Sequence, residues 1–555
     1  MFERSKLETD VLVIGGGSAG LIAALEAEKQ GVDVTVVCKQ KAGKSGNTIV
    51  SGSAFSVVVP EEGNPDSEEV YYQDLIRSGK GINQRDLTRL LAKESGKTIQ
   101  WLEDYGMEFF LQENKYVKRK PPGHSHPRSV PTIWDGYSYM TRGLSFMKPL
   151  LNSVKEKNIQ LIEQTMVVRL IRKRGKIVGA VAIDVKKGNI IEISSKSVIL
   201  ANGGAGNIFS QNNNTVGITG DSYALAFDVG AVLKDMEFVQ FYPTMMIKPV
   251  KMPASNPLFG DGAVLRNKHG ELFVHNYVEG GDKEATRDKM AQAIFQEVQK
   301  GNGIEGGVYF DCSGIPKDVL ESKYSHFCNQ LRKKDVDPSK DYVIVSPTTH
   351  YFLGGVKINE KCESNVPGLY AAGEAATGAH GANRLSGSSI ADTVVFGMIA
   401  GDSAAKHSLN SKREDVDWDQ EISSLFVQND DGGLDIAKAK EIVRNVMWES
   451  ASVVRDESTI RSGLQTLDDI QRSLKSAPVT SAKQTLSFFE LSNMVAVGQL
   501  VLQGAIKREE SRGSHWRKDF PFETEDFLGN FEYFKNQELA DIHFVALEHK
   551  RSHSV

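Results

Sequence analysis

Apolar residues follow several rhythms along this chain. Val11–Ile14 and VDVTVV (32–37) are short continuous runs, and between them Leu21, Ile22, Ala24 and Leu25 recur at helical spacing. Such runs predict strands buried in a parallel sheet, joined here by a helix that Gly31 ends. The strand-to-glycine transition returns at KSVILA (196–201), which leads into ANGGAGNIF (201–209), and again at GLYAAGE (368–374). In ITGDSYALAFDVGA (218–231) Asp221 opens a helix. Residues 165–193 alternate short β-rich runs with RKRGK and KKGN, which predicts a β-meander flanking the main sheet. From about 409 the period becomes helical in AKAKEIVRNVMWESASVVRD and STIRSGLQTLDDIQRSLKS. Residues 232–345 are less regular and interrupt the glycine pattern. These rhythms predict an α/β protein with a first part over 1–231, an insertion over 232–345, a return over 346–408 and a helical segment with a tail over 409–555.

Composition narrows this. The 555 residues supply core for several domains. A net charge of −5 gives no global case for nucleic acid or a membrane surface. Cys38, Cys312, Cys328 and Cys362 form no CxxC pair, which argues against an iron–sulfur cluster or structural zinc built from this chain alone and fits a reducing compartment. The opening MFERSKLETD lacks the apolar core of a signal peptide, and no apolar run reaches the length of a membrane span, so the expected location is the cytoplasm.

The candidate chemistry begins at Gly15, Gly17 and Gly20, a G-x-G-x-x-G in the strand–turn–helix–strand setting that a dinucleotide fingerprint requires. Such a turn approaches a pyrophosphate closely, and the helix N-terminus offers N–H donors. The acid usual at the end of the second strand is missing, since that strand ends Val37-Cys38-Lys39-Gln40. Glycine clusters this far apart suggest one extended ligand of the length of a flavin adenine dinucleotide. PTTHYFLGG (347–355) and TGAHGANRLSG (377–387) add His350 and Arg384 among glycines and small residues. PPGHSHPRSV (121–130) carries His124, His126 and Arg128; with no further ligand in the sequence it reads as a loop near the cofactor or a docking surface, and no metal site is expected.

Taken together, VIGGGSAG (13–20), ANGGAG (201–206), ITGDS (218–222), EFVQFYPT (237–244), ATRD (285–288), THYFLGG (349–355), GLYAAGE (368–374), HGANRLSGSSI (380–390) and ESRGSHWRKDFP (510–521) resemble the flavoprotein subunits of the succinate dehydrogenase and fumarate reductase superfamily. That group includes L-aspartate oxidase and the alpha subunit of adenylylsulfate reductase. The resemblance runs nearly end to end. It implies a Rossmann-like FAD-binding domain interrupted by an α+β capping domain and followed by a C-terminal helical domain. By the match, Gly15, Gly17, Gly20 and Lys39 lie by the adenosine and pyrophosphate, Asp221 and Glu374 by the ribityl or adjoining hydroxyls, and Ser389 with Ile390 near the ring. Ser18, Ala19, Gly46, Asn47, Thr48, Gly52, Ala201, Gly203, Gly204 and Arg384 complete the FAD site. Covalent members carry a histidine in a Ser-His-Thr stretch; KSGNTIVSGSA (44–54) has Asn47 there, which implies non-covalent FAD and favours reduction over succinate oxidation.

The resemblance also implies the reaction: hydride transfer between flavin N5 and an alkene carbon, with Arg287 as the acid and His350 and Arg384 as carboxylate ligands. Three positions depart from the fumarate pattern. Tyr242 replaces a histidine, Ser255-Asn256 stand at a Thr-Glu pair, and Asp261 is a candidate for the relay. Tyr242 hydrogen-bonds without carrying positive charge, so a substrate with one carboxylate, or a bulkier enoate, stays open beside fumarate. The chain has neither a haem-attachment CxxCH nor cluster ligands of its own, and the resemblance implies an iron–sulfur partner subunit. L-aspartate oxidase is the alternative enzyme, and an electron-transfer subunit without a substrate site the alternative of another class.

Overall fold

The computed structural model describes residues 3–547 except 60, 62, 122, 255–256, 426–433, 475–481 and 537–538. The Ser255-Asn256 pair lies outside the described residues. The first strand, Arg4–Ile14, is the centre of a seven-stranded sheet. It pairs in parallel with Val34–Cys38 on one side and Ile190–Leu200 on the other, and Ile159–Glu163 extends the sheet beyond Val34–Cys38. The strand Ile190–Leu200 is long enough to serve two neighbours. Its first half pairs antiparallel with the meander strand Lys176–Asp184, and its last three residues pair in parallel with Leu369–Ala371. This division explains the composition: Val198, Ile199 and Leu200, like Val11–Ile14, are buried apolar residues in a row, as a parallel strand covered on both faces requires.

Helix Ser18–Glu28 packs on the sheet against the helix Ser388–Leu409. Gly397 and Gly401 allow that contact, since a Cβ on Gly401 would lie 2.3 Å from the Ala23 carbonyl oxygen. The stretch 232–345 contributes a second, five-stranded sheet, Met252–Pro253, Val239–Lys248, Val343–Phe352, Val308–Asp311 and Val264–Arg266 in that order. It has a hydrophobic cluster of its own, with Met246, Phe259, Phe310 and Val345 among its members. The strands Val239–Lys248 and Val343–Phe352 run antiparallel and carry Tyr242 and His350.

The C-terminal helices Ile436–Ala451, Glu457–Leu474 and Ala482–Lys507 join the main core through Val443, Met447, Leu467 and Val501. The last of these is the one described helix long and apolar enough to cross a membrane, but Leu491, Met494, Val497 and Leu502 place it inside the protein core. The tail expected after the helices is a β-hairpin, Gly529–Asn536 with Leu539–Ala546, whose first strand pairs with Leu233–Lys234.

Candidate active site

The turn after the first strand opens a cleft of ≈1370 Å³, counting the open solvent at its mouth. Gly15 has φ +121°, and a Cβ there would sit 2.3 Å from the Ala201 carbonyl oxygen, so the two glycine-rich turns touch. A Cβ on Gly20 would lie 1.9 Å from the Gly15 carbonyl oxygen, so this glycine serves close helix–strand packing, and it does not line the cleft. A Cβ on Gly17 or Gly46, by contrast, meets open space within the cleft. Ser18, Ala19, Lys39, Asn47, Thr48, Ala201, Gly203, Asp221, Glu374, Ser389 and Ile390 also line it. Gly52, Gly204 and Arg384 do not: Gly204 backs onto the Glu374 carboxylate, and Gly52 faces the Arg142 guanidinium.

The acid missing from the second strand arrives through space. Lys39 Nζ donates to Thr219 Oγ1 at 2.9 Å and Asp221 Oδ2 at 2.8 Å, and forms an ion pair with Glu490 at 3.0 Å. Burial opposes the Lys39 charge, but these carboxylates outweigh it and raise the lysine above its usual value. Glu490 comes from helix Ala482–Lys507, and Asn493 of that helix donates to Asp221 Oδ1 at 3.0 Å. Glu374 lines the cleft as a buried group. Its Oε1 accepts the Phe352 N–H at 3.0 Å and its Oε2 accepts Asn47 Nδ2 at 3.4 Å, and burial pushes its carboxyl up to about 7.

Beyond His350, the sequence-predicted groups gather. The Tyr242 and His350 rings are 5.7 Å apart, and the Arg287 guanidinium lies 5.4 Å over the Tyr242 ring. Arg287 opens helix Arg287–Glu297 and donates through Nη2 to Ser386 Oγ at 3.3 Å. Arg384 lies 4.7 Å over the Tyr351 ring, and its Nη1 donates to the Leu385 carbonyl at 2.8 Å. Its buried Nε has no hydrogen-bond partner among the described residues. Burial lowers both arginines, with Arg287 contributing to the fall of Arg384 to about 10. Burial, then Arg384 and Arg287, hold His350 well below an ordinary histidine. The two guanidinium groups and the His350 ring meet with no carboxylate bonded to any of them among the described residues, an arrangement suited to an anion.

Two expectations change. Asp261 is held by Tyr324 Oη at 2.6 Å and Lys323 Nζ at 3.1 Å, and among the described residues none of its bonds reaches Arg287, which speaks against a relay through it. In the loop of His124 and Arg128 these two side chains are buried, which disfavours a docking surface at them and leaves the reading of a loop near the cofactor cleft. Arg128 pairs with Asp66 and Asp74 at 2.6 and 2.5 Å, and His124 Nε2 meets the Ser386 carbonyl at 2.9 Å. Sequence reasoning missed Ser386, Tyr351, Asn213 and Asn214. Tyr351, Asn213 and Asn214 line the cleft, and Ser386 holds Arg287. The asparagine run 212–214 beside a glycine cluster was the available signal.

The space over Gly17 and Gly46, the buried carboxyl of Glu374 and the cationic end fit an extended, anionic dinucleotide. The comparisons agree with that fit. Residues 10–390 match the FAD binding domain family, and residues 440–545 match the fumarate reductase flavoprotein C-terminal family. An uncharacterized FAD-dependent oxidoreductase of Methanocaldococcus jannaschii is 37% identical over 94% of this chain and 96% of its own. One subunit of the CoM/CoB fumarate reductase of Methanothermobacter marburgensis is 35% identical over 94% and 96%. An L-aspartate oxidase of Nostoc is 28% identical over 93% and 92%. A quinol-fumarate reductase structure with menaquinol superposes with a TM-score of 0.88 at 25% identity, covering 98% of this chain and 99% of the other. The chain belongs to the FAD-dependent oxidoreductases of the fumarate reductase and succinate dehydrogenase flavoprotein family. FAD is its cofactor.

Proposed function

We propose that this chain is the catalytic subunit of a complex that reduces fumarate or a related unsaturated carboxylate, with FAD held non-covalently and electrons delivered by an iron–sulfur partner. The convergence of Arg287, His350 and Arg384 at one end of the cofactor cleft carries the reading. Ser18, Thr48, Asp221 and Glu374 would hold the nucleotide and ribityl portions, with Ser389 and Ile390 beside the ring. Bound there, FAD supplies the hydride.

This chain's residues do the rest. Arg384 presents a buried guanidinium, kept in place by the Tyr351 face, to one carboxylate oxygen pair. His350 and Tyr242 stand beside it. Arg287 is lowered by burial, and Ser386 holds its Nη2, so a proton leaves it more readily than from an exposed arginine. Asn47 spends its amide on Asn214, at 2.6 Å, and an amide offers no nucleophile for a flavin linkage.

Dye-linked reduction of a panel of unsaturated acids, read by reoxidation of the reduced flavin, tests the reading. Fumarate or a close relative should reoxidise it. Arg287→Lys should lose at least about a hundredfold in turnover while flavin content stays unchanged. Acid precipitation should leave the yellow chromophore in the supernatant. Oxidation of aspartate to iminoaspartate, with no unsaturated acid reduced, would replace this reading by L-aspartate oxidase.

A further inference from the structure

The run QNNNT (211–215) has no part in the chemistry above, yet it is tied to both ends of the site. The Thr349 N–H donates to the Gln211 carbonyl at 3.0 Å, and the Asn213 N–H donates to the Thr349 carbonyl at 3.1 Å. Asn214 Nδ2 donates to the His350 carbonyl at 3.2 Å, and Asn214 Oδ1 accepts Asn47 Nδ2 at 2.6 Å. The Thr215 N–H donates to Asn47 Oδ1 at 3.1 Å. The segment is thus fastened through backbone bonds to the strand that carries His350, and the Asn213 side chain has little freedom to leave it.

That side chain sets the state of the imidazole. His350 Nδ1 lies 3.1 Å from Asn213 Oδ1, and Asn214 Nδ2 approaches the same oxygen at 3.5 Å. An oxygen that takes a donor from Asn214 accepts from His350 as well, so Nδ1 bears the hydrogen. In a neutral ring Nε2 is then a bare acceptor, and among the described residues it has no hydrogen-bond partner. The groups facing the ring are Arg384, Arg287 and Tyr242, with Glu374 further off across Asn47 and Asn214. The two guanidinium groups disfavour a third positive charge while the site holds no anion. A carboxylate reverses that balance, and it cannot be met by a bare lone pair.

We propose that Asn213 is a positioning residue that fixes His350 with hydrogen on Nδ1, so that each carboxylate substrate brings one proton from solvent onto Nε2 as it binds. This rests on the reading that an anionic carboxylate occupies the site. The proton ends on Nε2, no bond of the substrate changes, and binding alone moves it. Where free His350 is neutral and bound His350 is charged, the complex holds one proton more, so affinity falls as pH rises, by about tenfold per pH unit.

Calorimetry on the FAD-loaded protein tests this, with malonate as an unreactive dianion, in two buffers of different ionisation enthalpy near neutral pH. Wild type should take up about one proton per malonate bound. In His350→Gln the amide donates without a proton, so malonate should bind more weakly with no uptake. In Asn213→Ala the ring is free to carry its hydrogen on Nε2, so malonate should still bind, with uptake well below one proton and a flatter pH dependence. Binding to wild type without proton uptake, or unchanged uptake in Asn213→Ala, overturns this proposal and leaves the anion site standing. Failure of wild type to bind malonate and to reduce any unsaturated acid overturns both.

Discussion

At the scale of single residues, Glu374 shows what the flavin cleft costs the protein. Its carboxyl is buried, and although the backbone N–H groups of Phe352 and Gly204 and a longer bond from Asn47 oppose the rise, burial lifts it to about 7 from the ordinary 4.5. The folded state therefore holds a proton that the unfolded chain has released. The stability tied to neutral Glu374 is fully present below about pH 4.5 and is lost as pH rises through about 7, and amounts to ~3 kcal/mol. Glu374→Gln keeps the shape and removes the titration. The apoprotein carrying it should be more stable than wild type above about pH 7 and nearly equal to it in mild acid. Urea midpoints of the two apoproteins across that range check the sign. Flavin content should fall in the same variant above about pH 7, where wild-type Glu374 is a carboxylate and the neutral amide is the weaker acceptor for hydroxyl donors.

At the scale of elements, the turn after the first strand separates two roles that one glycine pattern hides. A side chain at Gly15 strikes the Ala201 carbonyl at 2.3 Å and demands φ +121°, whereas one at Gly17 projects into open cleft. Gly15→Ala should therefore disturb the packing of the first strand's turn on the 201–203 turn and lower the yield of folded protein. Gly17→Ala should fold with an unchanged circular dichroism spectrum yet bind FAD more weakly, as the ratio of flavin to protein absorbance reports. The strand–turn–helix setting of this turn was legible because runs such as Val11–Ile14 and the helical spacing of Leu21, Ile22 and Leu25 are local signals. Arg287, His350 and Arg384 were legible through their surrounding motifs. Asn213, Asn214, Ser386 and Tyr351 were not. Each acts through a partner far away in sequence, fixed by the pairing of strand Val343–Phe352 with the 211–213 segment and by the approach of Arg287 to the 386 loop. The acid that Lys39 recruits from Asp221 and Glu490 was hidden for the same reason. The final hairpin alternates too imperfectly in FEYFKN to be told from a tail, and only its pairing with Leu233–Lys234 gives it a place.

At the scale of the whole molecule, the parts of the chain are joined at Glu237, which follows the short strand Leu233–Lys234 and leads into the strand that carries Tyr242. Its carboxylate is fully buried and accepts Arg508 Nε at 2.7 Å and Tyr533 Oη at 2.8 Å, and its carbonyl accepts Arg455 Nη1 at 2.7 Å. Arg508 in turn pairs with Glu510 and reaches the carbonyls of Phe527 and Gly529. The C-terminal helices, the ESRGSHWRKDFP segment and the final hairpin are thus fastened to the start of the inserted stretch by one buried ionic cluster. The same segment supports the Arg384 end of the proposed site, since the Ser514 N–H donates to the Ala382 carbonyl, two residues from Arg384. Such a cluster costs desolvation on every member, so losing one partner is worse than losing both. Glu237→Gln leaves Arg508 charged and half-compensated in the core and should destabilise the FAD-loaded protein by about 3–5 kcal/mol. Adding Arg508→Met to Glu237→Met should recover part of that loss relative to Glu237→Met alone, because the uncompensated charge is then gone. Urea unfolding of Glu237→Gln beside wild type measures the first loss, and that of Glu237→Met, Arg508→Met and the double variant beside wild type measures the coupling. Equal, additive losses would mean that the cluster merely fills space, and a positive coupling would mean that it holds the C-terminal segment against the site.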